Sequence, residues 1–384
     1  MDLNILVAFY FYLGFQQKEI LQVLIYQHGI TICLRTLQNI LRRNRLYRRK
    51  HFSDWMEVAS FISDEIAGSG QMIGYRMMHL KCIQNGFTVK RETVRLLLSV
   101  LDPDGVAYRR ARRLRRRRYH NPGPNFMWHV DSYDKLKPYG LCINGCVDGF
   151  SRNVMWLKVY FTNNDPKVIA SYFIETVKNR DGCPRRIRSD HGTENVAMEQ
   201  MQIFLRRDAT DEFAFHRSFL YGSSNHNQRI ESFWSILRKE NIQFWMNFFQ
   251  ALKEEDYFSG DFLDKSIVQF CFTTLVQDEL DRFVQMWNAH RIRAQRNITA
   301  PHGRPSIMYM APHLYGSDDY LFQCNSLDVQ NCQEECHMLT YPCDETVFEL
   351  CCLLMEELHL LPPEDAEEGR NLYIILRREI LNLM

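Results

Sequence analysis

Apolar positions first recur along this chain with a helical period. In QQKEILQVLIYQHG, Ile20, Leu21, Leu24 and Ile25 fall on one helix face, and Gly29 follows as a stop. The next run, LRTLQNILRRNRLYRRK, sets Leu34, Leu37, Ile40 and Leu41 on a stripe and leaves Arg35, Gln38, Asn39, Arg42 and Arg43 off it. Two helices with a short glycine-bearing turn, the second one basic outside, predict a helix-turn-helix module over residues 1–50. A plain helical hairpin has the same periodicity. The basic residues gathered on and beyond the second helix favour the DNA-binding form. Residues 51–107 repeat the scheme with three predicted helices, the second closing at Gly86 and the third capped by Thr88.

After residue 126 the chain turns apolar and β-prone. FMWHVDSY, GLCINGCVDGF and NVMWLKVYF read as strands separated by turn residues. DPKVIASYFIETVKN then predicts a helix, RRIRSD a strand, ENVAMEQMQIFLRR a helix, EFAFHRSF a strand and NQRIESFWSILRKENIQFWMNFFQAL a long helical region. Three consecutive strands predict a meander that later strands join by crossovers. The expected divisions are helical modules at 1–50 and 51–107, a linker at 108–125, a mixed α/β core at 126–258, a helical extension at 259–315 and an acidic region at 316–384.

Charge changes this picture more than composition does. The formal net charge of the 384 residues is only +1. Residues 1–120 nevertheless carry 21 Lys and Arg against 9 Asp and Glu, and residues 313–384 carry 3 against 15. A basic front predicts a polyanion partner. Eight arginines crowd between Arg109 and Arg118, among them Arg110, Arg112, Arg113, Arg115 and Arg116. Such a run repels itself until phosphate or carboxylate neutralises it, which suits an arm along a DNA backbone or a nuclear import signal. No apolar run reaches the roughly 18 residues of a membrane span. The apolar start has no basic region and carries Asp2, so an intracellular, nuclear protein without a signal peptide is expected. Scattered cysteines agree with a reducing compartment. Cys332, Cys336, His337 and Cys343 lack the spacing of paired zinc knuckles and read as free cysteines.

The candidate chemistry lies in three carboxylates. Asp131 ends the first strand run, Asp190 closes RRIRSD, and Glu231 opens the helix of SNHNQRIESFW. Strand ends of such a sheet gather at one edge. Like charges brought together there repel unless cations neutralise them. Two magnesium or manganese ions supply that charge, prefer oxygen ligands, and serve phosphoryl transfer by activating a hydroxyl and stabilising a leaving oxygen.

MWHVDSYDKL, CVDGFSRNVMWLKV, IRSDHGTEN and NHNQRIESFW, in this order, resemble the core of retroviral-type integrases and related transposases. GSGQMIGYR and WNAHRIRAQRN with GRPSIMY are similar to integrase-core proteins of transposon origin in animal genomes. The resemblance implies an RNase H-like fold, with a mixed five-stranded sheet flanked by helices and preceded by the all-α region. It also implies a triad, both catalytic and metal-holding, of Asp131, Asp190 and Glu231. The 40 residues between Asp190 and Glu231 exceed the usual spacing of the retroviral motif, and the excess is expected around 207–222. No His-His-Cys-Cys zinc pattern precedes the core.

Around the triad, His129, His191 and Asn195 are expected as supporting hydrogen-bonding groups, Gly192 as a tight turn, and Asp148 as a turn cap. Asn225, Asn227, Gln228, Arg238 and Lys239 are candidate contacts to the nucleic acid backbone. The expected activity is cleavage of DNA ends and strand transfer by a homo-oligomer on double-stranded DNA, with no membrane role. The alternatives are a domesticated DNA-binding protein whose core is a scaffold, and an RNase H-type nuclease acting on hybrids.

Overall fold

The structure, a computed structural model, describes residues 2–68, 70, 73–110, 121–222, 227–294, 301–336 and 340–383, without the side chains of 107–110 and 228. They form two compact units, one of residues 1–124, 150–153 and 283–319, the other of 125–149, 154–282 and 320–384. No described helix is long and apolar enough to cross a membrane.

The first unit begins with α1 (Leu3–Tyr12), α2 (Gln17–His28) and α3 (Leu34–Arg43). Gly29 ends α2 with a φ of 64°, a conformation that costs a residue without Cβ little. Ile20, Val23 and Leu24 of α2 meet Leu37 and Leu41 of α3 and Leu6, Val7, Tyr10 and Phe11 of α1 in one core. The stripes predicted for both helices are therefore rotated slightly, and Leu34 and Ile25 lie exposed. Arg35, Arg42 and Arg43 are exposed on α3.

A second core joins α4 (Trp55–Ala67), α5 (Tyr75–Gln84) and α6 (Arg91–Leu101) through Val58, Ile62, Met78, Cys82, Val94 and Leu98. Lys90, not Thr88, takes the cap position of α6. Thr88 instead ties the two modules together. Its N–H donates to Ser53 Oγ at 3.0 Å and its hydroxyl to the Tyr47 carbonyl at 3.2 Å. The eight-residue α7 (Pro103–Arg110) follows.

Arg304 anchors α13 (Pro305–Met310) to the first helices. Its guanidinium donates to Glu19 Oε2 at 2.8 Å, to the Gly14 carbonyl at 2.6 Å and to the Ala289 carbonyl. It also lies over the Phe15 ring.

The second unit holds a five-stranded sheet. β1 (Met127–Tyr133), β2 (Cys142–Asp148) and β3 (Val154–Tyr160) form the expected antiparallel meander. β4 (Gly182–Cys183) precedes β5 (Arg186–Ser189), which joins parallel to β1. β6 (Phe219–Tyr221) joins parallel to β5, giving the order β3-β2-β1-β5-β6. The strand predicted over EFAFHRSF instead forms just after it and shares only Phe219, because Phe215–Ser218 coil into a 3-10 turn first.

Period two along β1 sorts its side chains. Trp128 and Val130 enter a core with α8 (Pro166–Arg180) and α9 (Val196–Leu205). His129, Asp131 and Tyr133 face the other side, towards α10 (Gln228–Leu237). Asp148 is buried and accepts the Asn125 N–H at 2.8 Å, holding the chain where it turns into β1.

After α10 the backbone widens into one π-helical turn (Arg238–Ile242) before α11 (Gln243–Glu254) and α12 (Phe262–Ala289). β7 (Phe322–Gln323) pairs with β4. The acidic region is largely helical, as α14 (Ser326–Glu334), α15 (Glu345–Glu357) and α16 (Ala366–Leu383). Leu372, Tyr373, Leu376 and Ile380 of α16 are buried, and Arg377 donates to Asp264 at 2.7 Å. Apolar positions hidden among the acids explain why a terminal region with so much negative charge still packs.

Candidate active site

β1 and β5 lie side by side and parallel, with His129 opposite Arg188. Asp190 directly follows the end of β5, and its charge and that of Glu231 both act on Asp131. Glu231 reaches the same region from the first turn of α10, a helix that packs on β1 and β2. The fold thus gathers at one sheet edge three carboxylates that are distant in sequence.

Asp131 is the most constrained of the three. Trp234 Nε1–H donates to its Oδ2 at 2.9 Å. Burial pushes its carboxyl up to about 7, opposed by the Trp234 bond and reinforced by the negative charges of Asp190 and Glu231. Asp190 is half-buried and held at Oδ1 by Asn195 Nδ2–H at 3.2 Å and by the Gly192 N–H at 3.4 Å. Gly192 has an ordinary φ of −70°, so the turn there makes no conformational demand for glycine. Glu231 is exposed.

Behind the carboxylates, His129 is fully buried. Asn227 Nδ2–H donates to the Val130 carbonyl at 2.9 Å, so its Oδ1 faces His129 Nδ1 at 2.6 Å. His129 therefore carries its proton on Nδ1. Burial holds the imidazole down at about 3, so it is neutral at ordinary pH. Asn227 is itself 2% exposed, and its amide is engaged at both ends, pinning the start of α10 to β1. Buried as it is, this side chain is not presented to a DNA phosphate. His191 stacks on Tyr221 with centroids 5.2 Å apart and planes at 15°, and Tyr221 Oη donates to Glu199 at 2.7 Å.

Arg238 and Lys239 are exposed on the π-helical turn. Arg35, Arg42 and Arg43 belong to the first unit and the three carboxylates to the second. Arg112, Arg113, Arg115, Arg116, Asn225 and the side chains of Arg109, Arg110 and Gln228 lie outside the described residues.

Two residues at this edge carry no sequence expectation. Glu194 has its carboxyl raised by burial, then by the charges of Asp190 and Asp134. Trp234 stands three residues after Glu231, a spacing that shares a helix face and was the available signal.

Residues 118–311, just over half of the chain, match the family model described as an integrase core domain. The chain belongs to the integrase core domain family. A search among curated proteins finds no match. The family is one of integrase- and transposase-like polynucleotidyl transferases, and the mixed sheet with its flanking helices is the RNase H-like form of this core.

Integrase cores generally use divalent metal ions and act on DNA. Among the described residues of this core, no three His, Cys, Asp or Glu side chains stand close enough together to hold a metal ion. The donor chemistry still fits a hard cation. The three groups are all carboxylates, and a positive charge relieves the repulsion that contributes to the raised Asp131 carboxyl.

Proposed function

We propose that this chain is a DNA phosphoryl transferase whose catalytic and metal-holding groups are Asp131, Asp190 and Glu231. The observation that carries the proposal is the half-buried Asp131, whose carboxyl is raised by burial and by both of the other two carboxylates. A structural capping aspartate has no reason to face two like charges. The implied cofactors are two magnesium or manganese ions, which when bound activate an attacking hydroxyl and stabilise the leaving oxygen.

The chain's own groups have separate tasks. Asp131 and Asp190 are fixed by hydrogen bonds before any substrate arrives, whereas Glu231 enters from a helix turn exposed to solvent. Neutral His129 and Asn227 hold that helix against β1 without adding charge. The two reactions proposed are water attack on a phosphodiester at a DNA end and attack of the freed 3′-hydroxyl on a target phosphate.

Double-stranded DNA is the proposed partner. Arg35, Arg42 and Arg43 on α3, the second helical module, the arginine run and the pair Arg238 and Lys239 are proposed to meet its phosphates. A nuclear location and a homo-oligomer accompany this reading. The test is strand transfer between labelled duplexes with magnesium, which Asp131→Asn, Asp190→Asn and Glu231→Gln are each expected to abolish.

One observation favours a second reading, a DNA-binding protein with an inactive integrase scaffold. The three carboxylates do not by themselves close into a metal-holding cluster among the described residues. Duplex binding unaffected by chelation, with no strand cut under magnesium or manganese, would support this reading over the first.

A further inference from the structure

Around Asp131 the chain builds a seat for one indole. Trp234 is 4% exposed and lies on the face of α10 that carries Glu231. Its ring stacks on Tyr133 with centroids 5.0 Å apart and planes at 28°. Its far edge crosses β2 at Gly145, the residue paired with Asp131 across the two strands. A Cβ at Gly145 would meet Trp234 Cη2 at 2.7 Å and Leu157 Cδ1 at 3.1 Å, so any side chain there would push the ring out of place. Packed in this way, Nε1–H points at Asp131 Oδ2. Three strand positions, Asp131, Tyr133 and Gly145, are thus matched to one ring from the helix.

A ring that only filled this space would not require an N–H. A charge-assisted bond to a carboxylate is stronger than a neutral one and fixes direction as well as distance. It also opposes the tendency of Asp131 to turn away from the like charges of Asp190 and Glu231.

We infer that Trp234 is a positioning residue of the carboxylate site: its indole N–H sets the orientation of Asp131 and, through α10, the placement of Glu231 against it. The inference rests on the proposed reading of these carboxylates as a divalent-cation site. The stack on Tyr133 and the missing side chain at Gly145 are what hold the indole in register.

The test is manganese binding to the full chain by titration calorimetry, with the unfolding temperature of each variant measured alongside. The unsubstituted chain is expected to bind Mn2+ and Asp131→Asn to lose it. No binding to the unsubstituted chain overturns the cation-site reading itself, and this inference with it. Given binding, Trp234→Phe keeps a ring against Tyr133 but lacks the donor. It is expected to weaken Mn2+ affinity about tenfold to a hundredfold, the usual cost of losing a group that orients a metal ligand, while still unfolding cooperatively at a somewhat lower temperature. Affinity equal to that of the unsubstituted chain overturns the inference and leaves the cation site standing.

Gly145→Ala supplies a second variant that retains the N–H but displaces the ring, and the same weakening is expected. Unchanged affinity in that folded variant also overturns the inference. A third measurement needs no change to the seat. Tryptophan emission of the unsubstituted chain is expected to respond to Mn2+, and that of Asp131→Asn to stay constant. A silent unsubstituted chain that binds Mn2+ counts against the placement of Trp234.

Discussion

Asparagine at position 131 keeps the shape of aspartate and an oxygen for the Trp234 N–H, but removes the charge. In the metal-free chain that charge is costly. Burial, and then Asp190 and Glu231, raise the carboxyl from the ordinary 3.8 to about 7. At about 1.4 kcal/mol per pH unit, ionising it in the folded chain costs roughly 4 kcal/mol more than in the unfolded one. A folded value above the unfolded one means that the native chain holds its proton more tightly. The stability this confers is fully present below pH 3.8 and is lost as pH rises through 7.

At pH 8 the native chain therefore bears nearly the whole cost, and Asp131→Asn is expected to be more stable than its parent by about 2–4 kcal/mol in EDTA. For a unit of this size that is roughly 4–15 °C in unfolding temperature. The gain is expected to shrink on acidification and vanish near the ordinary aspartate range. Magnesium narrows or closes this gap. At about a hundredfold excess over its dissociation constant it stabilises the parent by about 2.7 kcal/mol and the variant not at all. Scanning calorimetry at pH 8 and pH 5, with and without magnesium, measures all four quantities. A variant less stable than its parent in EDTA at pH 8 would refute the picture of a strained, like-charged carboxylate.

Asn227→Ala removes two buried hydrogen bonds and leaves the His129 N–H without its acceptor, so a loss of about 2–3 kcal/mol is expected. Urea midpoints measure it, and a neutral result would mean that α10 is not pinned as described. Replacing Arg35, Arg42 and Arg43 with alanine is expected to reduce the slope of log K against log salt for duplex binding by up to about 0.9 per arginine. Fluorescence anisotropy across a salt series reads this, and an unchanged slope argues against phosphate contacts by α3. Burial holds His129 and His290 down at about 3 and about 4, so the unfolded chain takes up protons there first. In Asp131→Asn, which lacks the opposing titration of that carboxyl, stability is expected to fall below pH 6.5 by about 1.4 kcal/mol per pH unit for each histidine. A flat denaturation midpoint between pH 6.5 and 5 would contradict their burial as neutral rings.

The change from helical spacing to short apolar, β-prone runs after residue 126 was legible from residue type and turn spacing, because a strand buried on both faces is apolar along its length. So were the helix ends at Gly29 and Gly86 and the meander of β1 to β3. Thr88 shows the limit: its place before a helix suggested a cap, but a hydrogen bond to Tyr47, 41 residues away, took its hydroxyl instead. Asn227 is similar, since an amide before Glu231 reads as a substrate contact until His129 and Val130, nearly a hundred residues upstream, are found to occupy it. The folding of the acidic end was equally hidden, because the partners of Tyr373 and Arg377 lie on segments more than a hundred residues earlier. Local pattern records what each segment must bury. It carries no information on which distant segment arrives opposite, and that arrival alone brought the charge of Asp190 to bear on Asp131 and laid Trp234 across Gly145.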